Sequence, residues 1–371
     1  MPLLDAVLGH APHVVLAVLP GHSTVWVRGE AFAMAVEGGA GATGILARNL
    51  SGADVARLDF YMAGFGYHRR ELPVLTGDGG QAVAQTYFPE PGLWPPGAPW
   101  SQPDWAAQWA DTAVATARDF MAQYGQTPPD LLGRRYSQML VRGGSTVRAG
   151  QARPGTADLR RMPAPGDILR TALRHPYVGF FAVEEHDVSF RRFDGRMSGP
   201  LTRAVFISGD AAVVLPYDPL RDRVMVIEQF RAGPYARGDL NPWLIEAVAG
   251  RIDGGETPQD AARREALEEA GLRLRALLDG PRYYPSPAAK AEYLYSFVGI
   301  ADLPDHAAGL GGLAAEAEDI RSHVISFARM MELIDTGEID NAPLIILANW
   351  LAGRRPALRE AAQSGDMARG A

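Results

Sequence analysis

The stretch from Gly250 to Leu272, GRIDGGETPQDAARREALEEAGL, constrains this chain more than any other. It reads as a turn feeding one short helix. Thr257 is a good N-cap, Pro258 suits the first helical position, and Asp260 places a negative charge in the first turn. Gly271 supplies the stop. Inside the helix Glu265, Glu268 and Glu269 fall at i, i+3 and i+4, so three carboxylates crowd one face.

That crowding is unfavourable. Like charges at helical spacing repel by a few tenths of a kcal/mol per pair, and acids near a helix C-terminus oppose its dipole by about 0.3–1 kcal/mol each. A solvated acidic face eased by Arg263 and Arg264 is one reading. The other is a hard divalent cation of the Mg²⁺ type, which prefers oxygen ligands and turns the repulsion into binding.

The stretch resembles the Nudix box, G-x5-E-x7-R-E-U-x-E-E-x-G-U, at Gly250, Glu256, Arg264, Glu265, Glu268, Glu269 and Gly271, with Leu272 at the final apolar position. Ala266 stands where a larger aliphatic residue is commoner. The resemblance implies phosphoanhydride hydrolysis of a nucleoside diphosphate joined to a second moiety, with Mg²⁺ as cofactor and Mn²⁺ as the alternative. The ligands it implies are Glu265, Glu269, the Ala249 carbonyl and Glu268, the last direct or through water. Arg264 is expected to pair with a box carboxylate such as Glu256 and fix the helix.

The flanks narrow the substrate. RFDGRMSGPLTR, VMVIEQFR, NPWLIEAVAG, the box, YYPSPAA and EAEDIRSHV occur in the order found in bacterial ADP-ribose pyrophosphatases, over roughly residues 185–352. Pro287 sits where that subfamily has a marker proline, although the Gly-Gly that follows it there is Ala288-Ala289 here. The resemblance implies an α/β/α sandwich with a mixed sheet, an ADP-ribose substrate and a homodimer that exchanges N-terminal strands. It puts Arg203 and Arg231 on the phosphates or terminal ribose, and Ser286 and Glu292 on the substrate loop. In the acidic run, Glu316 aligns with the general base and Glu318 with a further metal ligand. Another nucleotide sugar such as GDP-mannose is the alternative substrate, and a non-catalytic ADP-ribose sensor the alternative role.

At 371 residues the chain is long for one core and suggests two domains, divided at 155/156. A formal charge of −7 argues against a general nucleic-acid binder. With no cysteine, thiol catalysis and cysteine-held metals are excluded. No apolar run reaches the roughly 18 residues that span a membrane. The start carries Asp5 and His10 with no basic residue ahead of them, a poor signal peptide, so a cytoplasmic protein is expected.

Residues 1–90 read as short strands and turns, with a helix entering LDFYMAGFGYHRRELPVL near Ala53. This order resembles the γ-glutamylcyclotransferase-like fold, a small β-barrel, over roughly residues 1–125, on the segment Leu58 to Gly64 and Tyr67. Where that family carries a catalytic Glu, this chain has Met62, which cannot move a proton. A binding or packing module is therefore expected. Trp105, Trp109, Ala113, Ala117 and Phe120 mark a core helix. After one more helix over Leu131 to Val141, the Pro-, Gly- and Arg-rich stretch to Asp167 reads as linker, and the last residues from Arg354 as a frayed tail. The two-domain arrangement also resembles Nudix proteins linked by name to tellurite resistance.

Overall fold

A computed structural model describes residues 2–151, 158–312 and 318–364. The described residues fall into two compact units, Met1–Met162 and Pro163–Ala371.

The first unit is built on two antiparallel sheets. One orders the strands Ala42–Arg48, His13–Leu19, Tyr67–Thr76 and Gln81–Pro89; the other orders Ala33–Glu37, His22–Val27 and Pro96–Pro99. Its core is aromatic. Phe120 of the helix Gln102–Ala122 lies between Tyr61 and Phe65, with ring centroids 5.1 and 6.0 Å away, and Tyr136 closes on Phe65 at 4.7 Å. Met62 packs half-buried against this cluster.

Two expectations for this unit need correction. The chain opens on a helix, Pro2–Leu8, whose Val7 and Leu8 are buried, so the apolar start serves as a core segment. The stretch expected as linker is helical through Tyr136–Gln151. Its glycines misled the reading because their cause is tertiary. A β-carbon at Gly143 would collide with Thr116 Oγ1 and the Thr112 carbonyl, so glycine lets this helix lie directly on Gln102–Ala122.

A capping box starts the helix Gly52–Ala63: Ser51 N–H donates to Asp54 Oδ2 at 2.9 Å, and Asp54 N–H donates to Ser51 Oγ at 3.2 Å. His10 Nε2 joins Asp54 Oδ1 at 2.7 Å. His10 raises its own proton affinity through that bond, and the same bond, with those from Ser51, pulls Asp54 down to about 2. A raised histidine stabilises below its ordinary pKa and loses the effect as pH rises through the folded value; a lowered aspartate stabilises above its ordinary pKa and loses the effect as pH falls. Both contributions are complete only between the ordinary values of 3.8 and 6.5. His10→Ala is therefore expected to lower the unfolding temperature of this unit at about pH 5.5 and to leave it unchanged at about pH 9. Equal shifts at both pH values would sink the idea.

The second unit holds an eight-stranded mixed sheet. Strand Ala211–Asp218 lies at its centre, parallel to Leu294–Ile300 and antiparallel to Arg223–Phe230 and Val248–Arg251. It is buried on both faces, hence its unbroken apolar run. Val213, Leu215 and Tyr217 face a core shared with Phe327, Met330, Leu344 and Leu347 of the helices Phe327–Thr336 and Ala342–Ala352. Ala212 and Val214 face the opposite core, shared with Ala261, Ala262 and Ala266 of the helix Pro258–Ala270. Side-chain alternation along one strand thus seats helices on both faces, the layered α/β arrangement expected for this half of the chain.

A separate four-stranded sheet orders Lys290–Ala291, Leu201–Ile207, Ala182–Phe190 and Ile168–Val178. The tail also needs correction, since Arg355–Ser364 is a helix. Arg355 donates from Nε to Asp222 Oδ1 at 2.6 Å, and from Nη2 to Oδ2, and it lies 4.8 Å from the Phe327 ring. A polar sequence looked frayed because its anchor is 133 residues away in the chain.

Candidate active site

The helix Pro258–Ala270 begins and ends on local signals. Thr257 Oγ1 accepts from Asp260 N–H at 3.1 Å, and Gly271 adopts φ 64° at the stop. Its apolar face is made of alanines. Ala266, small where a larger aliphatic residue is common, is fully buried beside Ala261 and Ala262, so the helix lies close on the sheet. That brings Glu269 down to the strand before the box, where Ala249 N–H donates to its Oε2 at 3.1 Å.

Glu269 is only 2% exposed. Burial first, then repulsion from Glu265, pushes its carboxyl up to about 8. Burial also raises Glu265, to about 7, against the opposing pull of Arg264. Glu318 adds to the repulsion on both. Gly250 explains itself here: a β-carbon at this position would occupy the space of the Glu265 carboxylate.

Arg264 binds most of the acidic face. Its Nε and Nη2 donate to the two oxygens of Glu256, each at 2.9 Å. Nη1 donates to Glu265 at 2.6 Å and to Glu268 at 3.1 Å, and Nη2 also donates to the Arg251 carbonyl at 3.1 Å. Glu256 Oε2 accepts in turn from Asp253 N–H at 3.1 Å, tying the turn to the helix. Among the described residues, no three acidic or histidine side chains converge as a preformed metal cluster. Glu265 and Glu268 are turned to the guanidinium instead.

Arg231, from a different element, is felt at this face. It follows the strand Arg223–Phe230 and stands at the N-cap position of the short helix Ala232–Arg237, and its positive charge opposes the upward push on the Glu269 carboxyl. Its Nε donates to Glu246 Oε2 at 2.6 Å. Glu318 stands two residues before the strand Ile320–Ser326, which pairs with the short strand Leu310–Gly311; the latter packs on the C-terminal end of the box helix so closely that a β-carbon on Gly311 would overlap the Glu269 carbonyl. Glu316, the expected base, lies outside the described residues.

The remaining candidates stand on the four-stranded sheet and its approach. Arg203 is exposed, with Nη1 donating to the Thr202 carbonyl at 3.1 Å. The carbonyl of Ser286 accepts from Lys290 N–H at 2.9 Å, forming the turn that contains Pro287. Glu292 pairs with Lys290 at 2.8 Å and accepts from Ser208 Oγ at 3.1 Å. Strand pairing of Phe206 with Lys290 brings this loop beside the strand that carries Arg203.

Sequence reading passed over Glu246 and Asn341. Glu246 is buried, and burial raises its carboxyl against the pull of Arg231. The signal was available, because a lone acid in the apolar run WLIEAVAG has to find a partner. Asn341 donates from Nδ2 to Glu246 Oε1 at 2.7 Å.

Comparison with known proteins agrees with this geometry. A model of the NUDIX domain matches residues 208–346. The chain is 42% identical over 193 residues to an ADP-ribose pyrophosphatase of Escherichia coli O6:H1, covering 52% of this chain and 91% of that one. It is 37% identical over 177 residues to a Haemophilus influenzae protein of the same name, covering 47% and 81%. A GDP-mannose pyrophosphatase of Escherichia coli O9:H4 is 33% identical over 172 residues, covering 46% and 88%. Kinship of that extent, in a chain whose box helix carries its carboxylates and arginine, makes this protein a member of the Nudix hydrolase family.

Proposed function

We propose that the second unit hydrolyses the phosphoanhydride of ADP-ribose to AMP and ribose 5-phosphate. The observation that carries this reading is the acidic face of the box helix, with Glu265, Glu268 and Glu256 gathered on Arg264, in a chain 42% identical to an ADP-ribose pyrophosphatase over 193 residues.

The residues fit a divalent cation, Mg²⁺ or Mn²⁺. Glu265 and Glu269 are oxygen donors that burial and mutual repulsion hold at raised pKa, and positive charge would relieve both effects. Glu265, Glu268, Glu269, Glu318 and the Ala249 carbonyl would hold the cation, which when bound would supply positive charge to balance that of a diphosphate.

The chain's own residues do the rest. Arg264 fixes the carboxylates along the helix and ties them to Glu256 in the turn. Arg231 offers the outer edge of its guanidinium to phosphate oxygens, a pairing its planar fork suits. Glu316 takes the proton from the attacking water. Arg203 joins Arg231 on the phosphates or terminal ribose, and Ser286 and Glu292 stand on the substrate loop, where Glu292 accepts from ribose hydroxyls. The first unit serves as a binding or packing module, since Met62 offers its core a thioether where cyclotransferase chemistry needs a carboxylate. A homodimer is supported by the edge strand Ile168–Val178, which exposes Ile168, Leu169 and Tyr177.

The test is AMP release from ADP-ribose with Mg²⁺, beside GMP release from GDP-mannose, the second reading that the 33% identical relative favours. Faster turnover of GDP-mannose would replace the first reading with the second. Glu316→Gln is the variant for the base, and wild-type turnover in it would move that role elsewhere.

A further inference from the structure

Asn341 uses both ends of its amide. Oδ1 accepts from Leu344 N–H at 3.1 Å and caps the helix Ala342–Ala352, while Nδ2 donates to Glu246 Oε1 at 2.7 Å. The other oxygen of Glu246 holds Arg231 Nε at 2.6 Å. The backbone of Arg231 is fixed too, its N–H donating to the Pro242 carbonyl at 2.9 Å. These bonds form one line from the start of a helix, through a buried carboxylate, to an arginine whose charge acts on Glu269.

We propose that Asn341 and Glu246 are positioning residues that aim Arg231 at the substrate's diphosphate. The inference rests on the reading that Arg231 binds that diphosphate. A flexible guanidinium at the end of a strand would sample many directions, and ordering it only when substrate arrives would weaken binding. Glu246 is suited to hold it because it is nearly enclosed and each of its oxygens has a partner. Engaging Nε leaves the Nη1–Nη2 edge to face a phosphate. Asn341 completes the arrangement by fixing the second oxygen, so the carboxylate cannot swing away with its arginine.

The conservative variant that separates this role from simple capping is Asn341→Ser. Serine caps a helix about as well as asparagine, but its hydroxyl is too short to bond both Leu344 N–H and Glu246. With ADP-ribose and Mg²⁺, Asn341→Ser is expected to raise KM about tenfold and leave kcat within about twofold, the signature of weakened binding common to ground and transition states. The unfolding temperature should fall by only a few degrees, the cost of one Glu246 oxygen losing its donor while the helix cap is kept. Asn341→Asp is the second variant: it caps equally well but turns a repelling oxygen toward Glu246, so its KM should rise further. In an Arg231→Ala background, which itself raises KM, Asn341→Ser should add nothing, because the group it aims is gone.

Wild-type KM in both Asn341 variants, while Arg231→Ala raises it, would overturn the positioning role and leave the substrate reading standing. Additive effects in the double variant would overturn it equally. No turnover of ADP-ribose by the wild-type protein would remove the substrate reading and this inference with it, an outcome distinct from the other two.

Discussion

Replacing Glu269 with glutamine is expected to cut ADP-ribose turnover about 10³-fold while the second unit stays folded, since a bound cation is worth several kcal/mol of transition-state charge and each 1.36 kcal/mol is a factor of ten. The side chain is 2% exposed and nearly isosteric with glutamine, so no cavity opens. The amide oxygen of glutamine can still accept from Ala249 N–H. What disappears is the negative charge closest to the sheet. Two measurements check this together. Turnover should fall, and the rise in unfolding temperature that Mg²⁺ gives the wild-type protein should shrink, because a ligand stabilises only as far as it binds the folded state. A variant with full turnover, or with an unchanged Mg²⁺-induced shift, would remove Glu269 from the cation site.

Arg264→Ala is expected to act on stability as well as on activity. The arginine is the shared partner of Glu256, Glu265 and Glu268, whose side chains are 15%, 12% and 29% exposed. Removing one partner of a buried ion pair costs about 3–5 kcal/mol, because the charge left behind is uncompensated. Arg264 itself is 30% exposed, so water screens part of that loss, and about 2–3 kcal/mol is the expected effect. Activity should fall by roughly 10–100-fold, the usual consequence of losing a residue that orients metal ligands. Arg264→Lys should rescue little of either, since an ammonium cannot fork across both oxygens of Glu256 while reaching Glu265. Denaturant unfolding with and without Mg²⁺ separates the two effects: the cation should recover part of the stability by taking over the orphaned carboxylates. Wild-type stability in the alanine variant would show that the acidic face needs no counter-charge from the protein.

Much of the candidate site was legible because its code is local. Thr257, Pro258, Asp260 and Gly271 delimit one helix through bonds that span three or four residues, and the spacing of Glu265, Glu268 and Glu269 sets one face through helical geometry alone. The central strand carries a local mark too: a strand covered on both faces leaves an unbroken apolar run over 211–217. Family resemblance carried the flanking candidates Arg203, Ser286, Glu292 and Glu318, for which spacing alone offers no argument.

Other features were settled by packing between residues far apart in the chain. Gly143 looked like linker because glycine in isolation weakens a helix, yet here it exists to clear Thr116 on another helix. Gly250 and Gly311 are explained only by distant neighbours, the Glu265 carboxylate and the Glu269 carbonyl. The tail became a helix because Arg355 finds Asp222. By itself the sequence determined the helix, its charged face and the family. Tertiary structure alone decided that Glu269 would be buried against Ala249, and that Arg231 would be tied to Glu246 and Asn341. The physical reason is that periodicity and capping act within a few residues, whereas desolvation and pairing of a charge depend on which distant segments the packed sheet brings against it.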